Sequence, residues 1–365
     1  MLDRIPPTWS ADDFHAPAPV ESTQVVRHGP QFSGRAGEYF GIWFVNLLLS
    51  IVTLGIYSAW AKVRTERYFY ANTRLADSSF DYLANPLAIL KGRLIAYAVV
   101  IALVVSSKFS PGLYLLLILA IALMVPALLV LTLRFRARNS AWRGLSFRFD
   151  GGIGEAYGPF LLWGWLSGMT LSLLYPVMKK RQHEFLVESH RYGVKRFSYR
   201  GQTGAYYVPY AIAVGVVVAG LIAVVMLAGS AVATGGSGAK AAAGMGFAFG
   251  IAAFYLGFFA VMIFLQVRYH NLLWNSARLG PHRFESTQRV RDLLWIYFCN
   301  LVAIVCTLGL AVPWAMVRLA RYRAEHFTLL AAGNIEEFVA ASESRHAAAG
   351  AELVDALDVG MDLGF

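Results

Sequence analysis

Charge is scarce in this chain. Only 15% of its residues are Asp, Glu, Lys or Arg, against about a quarter in a soluble domain. With 57% hydrophobic residues, that shortfall excludes an ordinary soluble globule. Cysteine is scarcer still: Cys299 and Cys306 lie seven apart in one apolar run. Residues so spaced on a helix stand about 10 Å apart along its axis, too far for a disulfide. They read as small packing residues and leave the compartment open. The opening stretch to His28 lacks a basic start followed by an apolar core, so no cleavable signal peptide is expected. There is no phosphate-binding glycine loop, nucleophile elbow or thiol pair. No catalytic residue, cofactor or enzyme class is therefore assigned. His183-Glu184 and His190 set the histidines seven apart rather than the four of His-Glu-x-x-His, so no metal site is expected either.

What the chain has is apolar runs of about twenty residues, at 39–61, 87–107, 112–133, 156–178, 206–229, 245–267 and 293–315. About 20 apolar residues suffice to cross roughly 30 Å of hydrocarbon. The chain reads as a polytopic membrane protein, and its +10 net charge points to a membrane face rather than to nucleic acid.

One stretch organises the rest. Thr53-Leu-Gly-Ile-Tyr-Ser-Ala-Trp-Ala-Lys-Val-Arg64 joins an apolar run to a cationic, aromatic one. The pattern returns at Thr307-Leu-Gly309 with Trp314 and Arg318, and in worn form at Thr170-Leu-Ser172 with Lys179 and Arg181. A fixed offset of 117 carries Glu38 onto Glu155 and Arg64 onto Arg181; an offset of 254 carries Asn46 onto Asn300. The fold expected is all-α and polytopic, with two full internal repeats and one truncated. An unstructured lead-in occupies 1–30. The first unit is 31–133 (motif segment 38–61, helical hairpin 87–133) and the second 149–267 (155–178, then 206–267). The truncated third is 284–335 (motif segment 292–315), and 340–365 is an acidic tail. Short aromatic pieces around Phe80, Phe147, Phe197 and Phe284 alternate with a period of two, as strands do. They either pair into a small sheet under the membrane or anchor helix ends at the interface.

Charge placement bears on topology. If all seven runs cross, the 32 lysines and arginines divide 16 to each side, which ignores the positive-inside rule. If the motif segments enter and leave on one side and only the two hairpin pairs cross, 30 share a side and only Lys108 and Lys240 stand opposite. That arrangement places both termini and every motif in the cytosol.

The combination Phe-x-Gly-x-x-Gly-Glu from Phe32, Asn46, Thr-Leu-Gly-Ile-Tyr-x-x-Trp-Ala-Lys-x-Arg and the later Phe80-Asp-Tyr82 resembles the YjgN-like family of bacterial inner-membrane proteins, over about 30–345. The resemblance implies a multi-pass inner-membrane location and no known activity. The middle unit departs most, with Ser172 in place of Gly55 and Val177 in place of Trp60.

Two residue sets stand out. Glu38, Glu155 and Asp292 begin the motif segments, and Asn46 and Asn300 lie within them. They either form a polar or ion path or serve as first-turn acids and interhelical bonding groups. Lys62, Arg64, Arg67, Lys179, Arg181, Arg318 and Arg321, with Trp60 and Trp314, suit the headgroup layer, where aromatic rings and basic residues meet anionic lipid. Two functions from different classes follow: transport of a small solute or ion, motivated by repeats and broken helices, and non-catalytic binding of anionic lipid or a protein partner at the cytosolic leaflet. Membrane lipids are the partners expected under both.

Overall fold

The structure, a computed structural model, describes residues 25–233 and 237–333. The expected lead-in before Val25 and the acidic tail at 340–365 lie outside the described residues, as does part of the linker between the last two long helices. Strand pairs and helix pairs alternate along the chain. Strands β1 (Val25–His28) and β2 (Gln31–Phe32) lead into helices α1 (Ala36–Val52) and α2 (Ser58–Ala71). Then come β3 (Thr73–Leu75), β4 (Ser78–Tyr82), α3 (Pro86–Phe109), α4 (Pro111–Arg138), β5 (Ser140–Trp142) and β6 (Leu145–Phe149). The next helical segment is broken into α5 (Ile153–Tyr157), a π-helical turn (Gly158–Leu162), α6 (Trp163–Met169) and α7 (Tyr175–Glu188). Beyond it lie β7 (His190–Tyr192), β8 (Lys195–Tyr199), α8 (Thr203–Ala233) and α9 (Ser237–Ser276). The last elements are β9 (Ala277–Leu279), β10 (His282–Ser286), α10 (Val290–Cys306), α11 (Val312–Glu325) and β11 (Phe327–Ala332).

The expectation of an all-α chain made of two repeats and a fraction is overturned here. All eleven strands join one antiparallel sheet in the order β1-β11-β10-β9-β8-β7-β6-β5-β4-β3-β2. Each strand is only two to six residues long, too short to be stable alone, and becomes ordered because its neighbours complete the ladder. The four β-hairpins turn on two residues. Ala76-Asp77 and Arg143-Gly144 have positive φ at both positions, and Gly193 and Gly280 at the first, as the primed turns matching strand twist require.

The sheet also closes. β1 and β2 sit at opposite ends of the ladder, yet only Gly29-Pro30 separates them in the chain. Antiparallel pairing of β1 with β11 and of β2 with β3 makes the two run in the same sense. They are successive halves of one kinked strand, its break at a proline that has no N–H to give a ladder. The sheet therefore curls until its ends meet, forming a barrel. Val25–His28 is thus a strand inside the stretch expected to be unstructured.

Every helical hairpin starts and ends on this barrel. Around the ring, α2 packs on α3, α4 on α5, α7 on α8, α9 on α10, and α11 back on α1. Tyr39 Oη meets Met316 Sδ at 3.5 Å, and Arg321 Nη2 donates to the Gly34 carbonyl at 3.2 Å across that last seam. Four helices are long and apolar enough to span a membrane: Pro86–Phe109, Pro111–Arg138, Thr203–Leu227 and Gly244–Ser276. The most apolar 18-residue window of Pro86–Phe109 has no buried residue at all, so its side chains require lipid around them. A single residue joins α3 to α4: Ser110 caps α4, accepting from the Leu113 N–H at 3.3 Å, and Pro111 occupies its first turn.

Candidate functional site

The three motif segments share one local device. Thr53 donates its hydroxyl to the Leu49 carbonyl at 2.7 Å and accepts from the Tyr57 N–H at 2.9 Å. It ties the end of α1 to the start of α2. Thr307 does the same between Ala303 and Ala311, and Thr170 between Leu166 and Leu174, at 3.4 Å for the second bond. The next two residues reverse the chain with positive φ: Leu54 and Gly55 at 49° and 90°, Leu171 and Ser172 at 49° and 67°, Leu308 and Gly309 at 52° and 94°. The helices then return alongside each other. Asn46 Nδ2 donates to the Ala61 carbonyl and Asn300 Nδ2 to that of Ala315, both at 3.5 Å. Arg318 adds a bond to Asn300 Oδ1 at 3.4 Å.

The three acids do not share one site. Glu155 accepts from the Gly152 N–H at 3.1 Å at the start of α5. Glu38 is exposed in the first turn of α1, 3.4 Å from the Tyr68 hydroxyl. Asp292 is half-buried in the first turn of α10. Asp292 and Asn300 line a common groove of α9, α10 and α11, of 1790 Å³. Glu38, Asn46 and Glu155 line none of the three described cavities.

The basic and aromatic set lies on the barrel-side helices. Lys62 pairs with Glu66, and Arg181 with Glu184 at 3.3 Å. Arg67 Nε reaches the Tyr82 carbonyl at 3.3 Å, while Arg64 is exposed. Trp60 stacks on Tyr57 with centroids 6.2 Å apart, Arg318 lies 5.1 Å over Trp314, and Lys179 lies 5.7 Å over Tyr175. His183 Nδ1 bonds the Tyr206 hydroxyl at 2.6 Å, and His190 Nδ1 donates to the Leu186 carbonyl at 2.5 Å.

The site that sequence reasoning missed is the inside of the barrel. Phe80, Phe147, Phe197 and Phe284 are each the third residue of a five-residue strand. Side chains alternate across a strand, so all four point inward, while the adjacent Arg148, Arg196 and Arg283 are exposed outside. With Trp142, Tyr192, Trp274 and Phe327 the phenylalanines wall a cavity of 440 Å³ that touches every strand from β3 to β11, and Pro30 in the kinked strand. Ring contacts run along the wall. Phe80 meets Trp142 at 6.1 Å, Trp142 meets Tyr192 at 5.6 Å, Phe197 meets Phe284 at 5.9 Å, and Phe284 meets Phe327 at 5.8 Å. At the hairpin tips, buried Leu75, Trp142, Tyr192 and Leu279 close the chamber, and the Tyr192 hydroxyl donates to the Trp142 carbonyl at 2.9 Å. At the helix end the wall is His270 and Trp274 of α9, Gln288, and Ala320, Arg323 and Ala324 of α11. A mostly apolar chamber of this size with a few polar groups is the usual make-up of a small-molecule pocket. Its signal in the sequence was the period-two aromatic pieces; their convergence was not visible there.

Four helices long and apolar enough to span a membrane, joined to an antiparallel barrel with an aromatic interior, define the class: a multi-pass membrane protein with a ligand-sized chamber. The chain belongs to a family described as bacterial proteins of unknown function (DUF898), whose profile matches residues 27–356. It is 25% identical to the inner membrane protein YjgN of Salmonella typhimurium over 355 residues, which cover 84% of this chain and 89% of that one. It is 41% identical to the inner membrane protein YjgN of Escherichia coli K12 over 63 residues, covering 17% and 16% of the two chains. No solved structure matches this chain.

Proposed function

We propose that this chain is a non-catalytic binding protein of the bacterial inner membrane, holding its barrel on the cytosolic side against anionic lipid. The observation that carries the reading is connectivity: both ends of every helical hairpin rest on one barrel. Of the described basic residues, only Lys108 and Lys240 then fall at the far ends of the long helices, the asymmetry expected of a cytosolic face. The outer wall of the barrel adds to it. Arg148, Arg191 and Arg196 stand opposite one another on successive strands, as do Arg278 and Arg283. Arg191 is ion-paired with Asp150, and the net positive charge of this wall suits an anionic surface. The three motif hairpins fit the same picture as segments dipping into the bilayer. Leu54, Leu171 and Leu308, at their tips, are 94%, 90% and 94% exposed, and lipid is the solvent that favours such side chains. The names of the two relatives support the inner membrane in particular.

The transport reading, motivated by repeats and broken helices, finds no support from a polar path, since no described cavity joins Glu38, Asn46 and Glu155. Reporter fusions test the orientation. Fusions after Arg138, Ser189 and Ala277 should report cytosol and one after Ser110 periplasm; a periplasmic signal at Ser189 overturns the reading. In vesicle co-sedimentation, Arg64→Ala with Arg318→Ala should weaken retention on phosphatidylglycerol and leave phosphatidylcholine unaffected.

A further inference from the structure

We infer that the barrel chamber is a binding site for a single-chain amphiphile with a carboxylate head, taken up from the adjoining bilayer with its chain among the aromatic rings and its head at the helix end. Four observations converge. The chamber is ligand-sized, 440 Å³, within the range that holds one compact molecule and too small for a two-chain phospholipid. Its hairpin-tip end is sealed by buried Leu75, Trp142, Tyr192 and Leu279, so a ligand reaches it from the helix end. That end includes the last turns of α9, one of the four candidate spans, which puts the opening beside lipid.

Of the polar lining groups, His282 lies at the tip end beside Leu279, while His270, Gln288 and Arg323 lie at the helix end. Arg323 lines the chamber, is exposed, and takes part in none of the described ion pairs. Gln288 lines it too and is 92% buried. Asn271 holds the Gln288 backbone through its N–H at 3.3 Å and its carbonyl at 2.9 Å, but no described hydrogen bond uses the Gln288 side-chain amide. The amide is not among the buried atoms left without a partner, so it is open to the chamber, where a ligand oxygen accepts from its N–H groups. A guanidinium and an amide N–H together make a charge-assisted clamp suited to a carboxylate. The aromatic wall gives a chain broad apolar contact and asks for no hydrogen bond.

This goes beyond the orientation proposed above, and the assay reads no topology, so the two readings fail separately. Purified full-length protein, delipidated in detergent, is titrated with cis-parinarate, a fluorescent long-chain carboxylate, and oleate is then added as competitor. Saturable one-to-one binding displaced by oleate is expected, with the methyl ester about ten-fold weaker through loss of the charge-assisted bonds. Arg323→Gln should erase the preference for acid over ester, and Gln288→Leu should reduce it. Phe197→Trp, which fills the chamber, should weaken acid and ester alike. Arg323 is exposed, so its variant tests the clamp even if Phe197→Trp fails to fold. Four results would each overturn the inference: no saturable binding, equal affinity for ester and acid, an acid preference that survives Arg323→Gln, or tighter binding of a single-chain phosphate-headed lipid than of oleate.

Discussion

At the residue scale the motif turns carry a local cost that can be measured. Ser172 holds a φ of 67° where the other two turns have glycine. An L-residue in the left-handed region costs about 1 kcal/mol, so Ser172→Gly should stabilise the protein by roughly that amount. Gly309, at φ 94°, runs the other way: Gly309→Ala should destabilise by about 1 kcal/mol or more. Thermal unfolding of the two variants in one detergent checks both signs. His183 supplies a pH test. Burial, with a smaller contribution from Lys179, lowers its pKa from 6.5 to about 4. Between those values the unfolded chain binds a proton that the folded one does not, so stability falls as pH drops below about 6.5 and levels off near 4. The slope inside that window is at most about 1.4 kcal/mol per pH unit, and His183→Gln should flatten it.

At the element scale, the motif segments show how one short sequence decides a reversal. Thr-Leu-Gly joins a threonine bonding both ways to two residues of positive φ, and no straight helix passes through it. α1 at 17 residues and α2 at 14 are about 25 and 21 Å long, short of the hydrocarbon thickness. A dipping hairpin places its tip in the acyl region. There, replacing Leu54 or Leu308 by Asp should destabilise the protein in bicelles by about 2 kcal/mol each. Tips standing in water would leave stability unchanged in the same measurement. The Asn46 and Asn300 bonds to the returning helix follow from the same reversal, which brings residues fifteen apart side by side.

At the scale of the whole molecule, closure is the governing feature. Val26 lies opposite Ala331 in the β1–β11 ladder, so the two ends of the described chain are neighbours. With Cys299 and Cys306 changed to Ser, cysteines placed at 26 and 331 should cross-link within one monomer. A product formed only between monomers would show that the ring is open or exchanged. Closure also makes the chamber: removing β1 and β2 should open the wall at Pro30, and parinarate binding should be lost with it.

Much of this protein could be read from its residues alone. Hydropathy marks the four long helices among seven apolar runs, because spanning a bilayer imposes a minimum apolar length on each segment independently of the others. The reversal within each motif segment shows in the Thr-Leu-Gly punctuation, which acts within a turn or two of chain. The four phenylalanines showed their alternation as well. What they left undecided was whether they pair into a sheet or anchor helix ends, and the overall expectation of an all-α chain went against the sheet. A strand of three to five residues has no stability of its own and takes its identity from a neighbour contributed by a distant part of the chain. Tyr82 pairs with Ser140 across two membrane helices, and Tyr199 with Ala277 across two more. Only the tertiary structure decides such pairings, and with them the barrel, its aromatic chamber, and the meeting of Gln288 and Arg323 at one end of it.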